Sequence, residues 1–224
     1  MKQIKAVIFD MDGLMFDTET MYYKVNKEVA DLIGMDFSYD YYSKYIGISD
    51  EEFHRNLYLD FNDDEKVTLF IKKTSERLIE VIERDGLIKK PGLLELLDYL
   101  AENQIKKVVA SSNINSVVSF FLKRENLEGY FDYFIGGNEV KRAKPDAEIF
   151  EKAWSDLGVE KENTLILEDS LNGIRAAYDA QINVIMVPDI FEAGDEEIRK
   201  TLAIHKDLQQ VKNFIHDTHA LLTM

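Results

Sequence analysis

Two aspartates spaced i, i+2, Asp10 and Asp12, stand directly behind the apolar run Ala6-Val7-Ile8-Phe9 and directly before Gly13. A run of this kind reads as a buried parallel strand, which would deliver Asp10 to the carboxyl end of a sheet, where open α/β sheets bind ligands. A carboxylate fixed there can attack a phosphoryl group and bind a divalent cation. A second carboxylate two residues on can serve as general acid and base. Gly13 lets the chain turn away, because glycine adopts positive φ without a Cβ penalty.

Three later segments end strand-like runs on what would be the same side of the sheet. Val109-Ala110-Ser111-Ser112-Asn113 offers a hydroxyl and several backbone N–H groups at a helix start, a common anion site, although Ser and Asn also serve as plain helix caps. In Arg142-Ala143-Lys144-Pro145-Asp146 the proline fixes the backbone beside Lys144 just before a helical stretch. A lysine there could neutralise a phosphate and the charge of Asp10, or it could simply be solvated. Leu165-Ile166-Leu167-Glu168-Asp169-Ser170 puts two adjacent carboxylates at a strand end. Next to Asp10 they need positive charge, and Mg²⁺ suits the need because it takes oxygen ligands and keeps positions for water and phosphate. The plainer alternative is that Asp169 and Ser170 cap the following helix.

The elements that must position these residues follow from the apolar pattern. Strands are predicted at Ala6 to Phe9, Lys107 to Ala110, Tyr133 to Ile135, Thr164 to Leu167 and Val184 to Val187, and helical spacing fills the intervals between the later ones. Such βα alternation predicts an α/β fold, a Rossmann-like parallel sheet with helices on both faces. From about Thr18 to Arg84 the alternation stops, and Glu, Lys, Tyr and Leu recur at helical spacing. Breaks at Ile33-Gly34-Met35, Ile46-Gly47-Ile48-Ser49 and Asp60 to Asp64 divide this insertion into four predicted helices, one starting at Ser49. Asp85-Gly86 and Pro91-Gly92 mark the return. The expected organisation is a catalytic core of residues 1–17 and 88–224 and an α-helical cap of residues 18–87, seated over the sheet's carboxyl end and covering Asp10. The stretch from Phe191 onward is acidic, then helical, and carries no readable chemistry.

Composition narrows the function classes. A net charge of −15 argues against a sequence-independent grip on nucleic acid or an anionic membrane, both of which need clustered Lys and Arg. The absence of cysteine excludes disulfides, thiolate metal sites and cysteine nucleophiles. No stretch approaches the ~18 apolar residues needed to span a bilayer, so a cytoplasmic enzyme is the default expectation.

The joint order of strand-Asp-x-Asp-Gly, strand-Ser, Lys-Pro and strand-Glu-Asp, with a helical insertion after the first, resembles the haloacid dehalogenase superfamily of phosphotransferases. Within it the chain is similar to the branch that carries a helical cap and includes the β-phosphoglucomutase-like phosphatases. The resemblance implies that Asp10 is the nucleophile and that Asp12 protonates the departing alkoxide, then activates water. It implies that Ser111 and Lys144 hold the phosphoryl oxygens, helped by Met11, Asp12, Ser112 and Asn113, and that Thr18, Glu19, Tyr22 and Gly47 face the substrate. The implied cofactor is Mg²⁺ on Asp10, the Asp12 carbonyl and Asp169, with Glu168 direct or through water. The implied partner is a small phosphorylated metabolite such as a sugar or polyol phosphate, bound by a monomer.

Two positions depart from the mutases of this branch, which carry a histidine where Tyr22 aligns and an arginine where Asp50 aligns. An aspartate there would repel a second phosphate, so hydrolysis of a monophosphate is expected over a mutase working through a bisphosphate. Lys72, Lys73 and Arg77 are the cap residues that could supply replacement positive charge, while His54 and Arg55 read as surface residues. A phospho-acceptor signalling domain also uses Asp, Ser or Thr, Lys and Mg²⁺, but it would place its acceptor on a later strand in a chain near half this length.

Overall fold

The run Ala6–Phe9 forms strand β1, and all four of its side chains are buried, as expected of a strand covered on both faces. A computed structural model, which describes residues 3–222, sets five more strands in the same sheet: β2 (Lys106–Ser111), β3 (Tyr133–Gly136), β4 (Thr164–Glu168), β5 (Asn183–Met186) and β6 (Ala203–Ile204). The expected outer bounds of the core, residues 1 and 224, lie outside the described residues. Every pairing is parallel and the order is β3-β2-β1-β4-β5-β6.

Register places Phe9 opposite Val109 on one side and Leu167 on the other. Asp10, Ser111 and Glu168 therefore arrive together at the carboxyl edge. From β1 the chain passes to β2 and from β4 to β5, in opposite directions along the sheet, so the crevice between the ends of β1 and β4 is the topological switch point where such sheets bind ligands.

Two compact units make up the chain, one of them Thr18–Leu87. That unit contains α1 (Thr18–Ile33), α2 (Tyr39–Tyr42), α3 (Asp50–Phe61) and α4 (Asp64–Asp85), with a 3-10 turn at Ser43–Tyr45 and no strand. Caps set its helix starts: Ser49 Oγ accepts from the Glu52 N–H at 3.3 Å and Asp63 Oδ1 from the Lys66 N–H at 3.0 Å, each satisfying a first-turn donor. Its own core gathers Val25, Val29, Phe37, Leu57, Val67 and Phe70, which is where the tyrosines Tyr22, Tyr23, Tyr41 and Tyr42 also pack.

The sheet-bearing unit holds α5 (Leu93–Glu102), α6 (Asn115–Arg124), α7 (Glu148–Ser155), α8 (Leu171–Asp179), α9 (Asp195–Lys200) and α10 (Leu208–Leu222). On one face Ala6 and Ile8 of β1 pack with Val108, Ala110 and Ile166 against Phe150 of α7 and Ile174 and Ala177 of α8. On the other, the Phe9 ring meets Phe131 edge-on at 5.7 Å. The sixth strand was not expected: β6 is two residues long, Ile204 is exposed, and so it leaves no apolar run to read. Among the described residues no helix is long and apolar enough to cross a membrane.

Candidate active site

Asp10 continues β1 by one residue, its N–H donating to the Leu167 carbonyl at 3.0 Å, and only 7% of its surface is exposed. Lys144 Nζ lies 2.5 Å from Asp10 Oδ1 and 2.5 Å from Glu168 Oε1, and it donates to the Ala110 carbonyl at 3.3 Å. Its side chain is buried, with the ammonium 4.8 Å from the centre of the Phe150 ring. The solvated-lysine alternative is thereby excluded: Lys144 is the buried counter-ion of two carboxylates that are 134 and 24 residues away in sequence.

The loop after Asp10 folds tightly on itself. The Met11 carbonyl accepts from the Met15 N–H at 2.9 Å, and the Gly13 N–H donates to the Phe16 carbonyl at 2.9 Å. Met11 is fully buried. Gly13 has φ +77°, and a Cβ on it would stand 2.2 Å from Asp169 Oδ2, so both the backbone conformation and the neighbouring carboxylate require glycine.

Asp12 is oriented by Asn113, whose Nδ2 donates to Oδ2 at 2.6 Å. Ser111 Oγ reaches the same oxygen at a weaker 3.4 Å while accepting the Asn113 N–H at 3.1 Å. Ser111, Ser112 and Asn113 are not caps, because α6 has Ile114 in the N-cap position and no side-chain cap bond. Ser112 is exposed.

Glu168 is fully buried. Its Oε2 accepts the Asp169 N–H at 2.9 Å, the Ser170 N–H at 3.0 Å and the Ser170 hydroxyl at 3.0 Å. Gly173 makes room for it, since a Cβ there would fall 1.7 Å from Oε1. The two explanations of this strand end separate cleanly. Ser170 is the N-cap of α8, accepting from the Gly173 N–H at 3.1 Å, whereas Asp169 joins Asp10 and Glu168 in a group whose carboxylate oxygens lie within 4.8 Å of one another.

Charge explains what this group needs. Burial raises the Asp10 carboxyl, Lys144 pulls it down, and Glu168 and Asp12 push it up again, for a net rise to about 8. Burial alone would lower Lys144, but Asp10 and Glu168 outweigh it and hold the ammonium above its ordinary value. Lys144 thus pairs with two of three clustered carboxylates, Asp10 and Glu168. The donor set is all hard oxygen, the kind of ligand that a divalent cation such as Mg²⁺ takes. The residues fit that ion. The Asp12 carboxylate is outside the group.

The remaining expected residues belong to the helical unit. There Glu19 accepts from the Tyr42 hydroxyl at 2.5 Å, Thr18 is buried, Tyr22 packs on the unit's apolar core and Gly47 is an exposed turn residue at φ +81°. Asp50 is exposed at the first position of α3. Arg77 is held by Glu28 at 3.0 Å and Glu80 at 3.1 Å, while Lys72 and Lys73 are exposed.

Sequence reasoning missed a second buried ion pair in the sheet-bearing unit, Lys90 Nζ to Asp189 Oδ1 at 2.5 Å. Lys90 directly precedes Pro91-Gly92, a pair that signals only a turn, and Asp189 stands two residues past the apolar run Val184 to Val187, close to the place that Asp10 takes after β1. That parallel is the one signal that could have found it.

Comparison with known proteins agrees with this geometry. Residues 7–187 match the model of the haloacid dehalogenase-like hydrolases. The chain is 32% identical over 182 residues to the phosphorylated carbohydrates phosphatase of Thermotoga maritima, covering 81% of this chain and 84% of the relative. A crystal structure of a candidate β-phosphoglucomutase from Thermotoga maritima superposes with a TM-score of 0.81 at 29% identity, covering 96% of this chain and 99% of the other. The β-phosphoglucomutase of Clostridium difficile, at 24% identity, a TM-score of 0.77 and 99% coverage of both chains, shares the fold.

Proposed function

The chain belongs to the haloacid dehalogenase-like hydrolases, and on that premise we propose that it hydrolyses a small phosphomonoester, a sugar or polyol monophosphate, through an aspartyl-phosphate formed on Asp10. The observation that carries the proposal is the buried Lys144 bridging Asp10 and Glu168, which holds the Asp10 carboxylate at the switch point of the sheet.

In the first half-reaction an Asp10 oxygen attacks phosphorus in line with the ester oxygen, the P–O ester bond breaks, and Asp12 gives its proton to the departing alkoxide. In the second, Asp12 takes a proton from water, the water oxygen forms a bond to phosphorus, and the acyl-phosphate bond breaks to return Asp10. Lys144 and the Ser111 hydroxyl serve the equatorial oxygens, where preorganised donors contribute most in phosphoryl transfer. Asn113 holds Asp12 in place through both halves. A divalent cation on Asp10, Asp169 and the Asp12 carbonyl, with Glu168 beside them, would neutralise charge on the phosphoryl group. The helical unit Thr18–Leu87 is proposed to act as the cap that selects the substrate.

Asp12→Ala is expected to slow turnover by ~10²–10⁴, the usual loss of a general acid and base, with the largest effect on substrates whose alkoxides leave poorly. Equal rates for wild type and variant on a sugar phosphate would remove Asp12 from proton transfer. Phosphate release should also require Mg²⁺. Chelation should abolish it while the circular dichroism spectrum stays unchanged, because the fold is built on its own apolar cores; full activity in metal-free protein would exclude the cation.

A phosphomutase is the second reading, favoured by the fold shared with β-phosphoglucomutases. Against it stand Asp50 and Tyr22 in place of arginine and histidine, and the carboxylate partners already held by Arg77. A panel of phosphorylated sugars, polyols and nucleoside monophosphates assayed with Mg²⁺ should therefore yield inorganic phosphate. β-Glucose 1-phosphate with a trace of the 1,6-bisphosphate should yield little glucose 6-phosphate. Glucose 6-phosphate accumulating faster than phosphate from any member of the panel would make the protein a mutase.

A further inference from the structure

The Asp189 carboxylate is nine-tenths buried, yet only half of it is satisfied. Oδ1 accepts from Lys90 Nζ at 2.5 Å, and the Lys90 backbone N–H is itself tied to the Met15 carbonyl at 2.9 Å, in the loop that follows Asp10. Oδ2 is buried and has no hydrogen-bond partner. It lies close to Gly13: a Cβ on that residue would stand 3.1 Å from Asp189 Oδ2 and 2.2 Å from Asp169 Oδ2. The two carboxylate oxygens therefore lie beside the same residue of the loop.

A buried anionic oxygen without a donor is unfavourable, and a second carboxylate nearby makes it more so. Lys90 accounts for only one oxygen of the pair. A donor that suits both carboxylates is a water molecule polarised by a cation, and Mg²⁺ retains several of its waters when protein carboxylates bind it. Distance favours an intervening water over direct ligation, since Asp189 is not one of the three residues whose carboxylate oxygens lie within 4.8 Å of one another.

We propose that Asp189 is a positioning residue for the divalent cation, its Oδ2 accepting a hydrogen bond from a cation-held water while Lys90 fixes Oδ1. The inference rests on the preceding assignment of Asp10, Glu168 and Asp169 as the cation site. Its effect is to orient the cation's water shell, and outer partners of this kind typically change metal affinity tenfold or more. The alternative is a purely structural ion pair joining the segment before α5 to the segment after β5.

Calorimetric titration of Mg²⁺ into the full chain separates these possibilities, with wild type, Asp189→Asn, Lys90→Met and Asp169→Asn each checked by circular dichroism. Asp189→Asn should weaken Mg²⁺ binding about tenfold. Lys90→Met removes positive charge near the cation and keeps the acceptor, so it should tighten binding. A structural pair is broken equally from either side, and shifts of the same sign in both variants would overturn the proposal. So would unchanged affinity in Asp189→Asn where Asp169→Asn abolishes binding. If Asp189→Asn does not fold, Lys90→Met decides alone, and unchanged or weaker binding overturns it. Wild-type affinity in Asp169→Asn would show that the cation site itself is misassigned, and the role of Asp189 falls with it.

Discussion

Asp10→Asn should reduce phosphate release by at least about 10⁴-fold, on the scale seen when a covalent nucleophile is removed. The amide has the shape of the carboxylate but neither its nucleophilicity nor its affinity for a hard cation. The fold should survive. Burial and the neighbouring carboxylates drive the Asp10 carboxyl up to about 8, so its charge is held at a cost, and Lys144 keeps Glu168 as a partner in the variant. Metal-free Asp10→Asn is thus expected to melt at or above the wild-type temperature. Turnover near wild type would remove Asp10 from the chemistry, and a collapsed melting temperature would mean that its charge is structural.

Lys144→Met should do the reverse, damaging stability and activity together. Its side chain is buried between Asp10 and Glu168, and removing it leaves two buried carboxylates without their counter-ion. Breaking a buried pair from one side costs about 3–5 kcal/mol. Loss of a preorganised donor to the transferring group should cost a further ~10²–10³ in turnover. Urea denaturation of the metal-free protein reads the first effect and single-turnover phosphate release the second. A variant as stable as wild type would contradict the central role given to the Asp10–Lys144–Glu168 bridge.

Much of this was legible in the sequence because the site sits where apolar runs end. Strands covered on both faces read as continuous apolar segments, so the residues one step beyond the runs that end at Phe9, Ala110 and Leu167, namely Asp10, Ser111 and Glu168, announce themselves by position alone. The helical stretch between Thr18 and Leu87 is legible because its breaks at Gly34, Gly47 and Asp63 are turn and cap chemistry. What the sequence conceals is pairing across distance. Nothing local says that Lys144 is buried rather than solvated, that Asn113 turns its amide onto Asp12, or that Lys90 meets Asp189 across 99 residues. Strand β6 is hidden for a different reason: at two residues on the sheet edge it has neither length nor burial to leave a period.

The covalent intermediate tests the account most directly. Protein turning over a sugar monophosphate with Mg²⁺ should be quenched in acid, digested and analysed by mass spectrometry, using Asp12→Ala to slow the hydrolytic half. The expected result is one phosphoryl group on the peptide that contains Asp10, absent from Asp10→Asn. Phosphate release with no phosphorylated protein at any quench time, or a phosphoryl group on another residue, would contradict it.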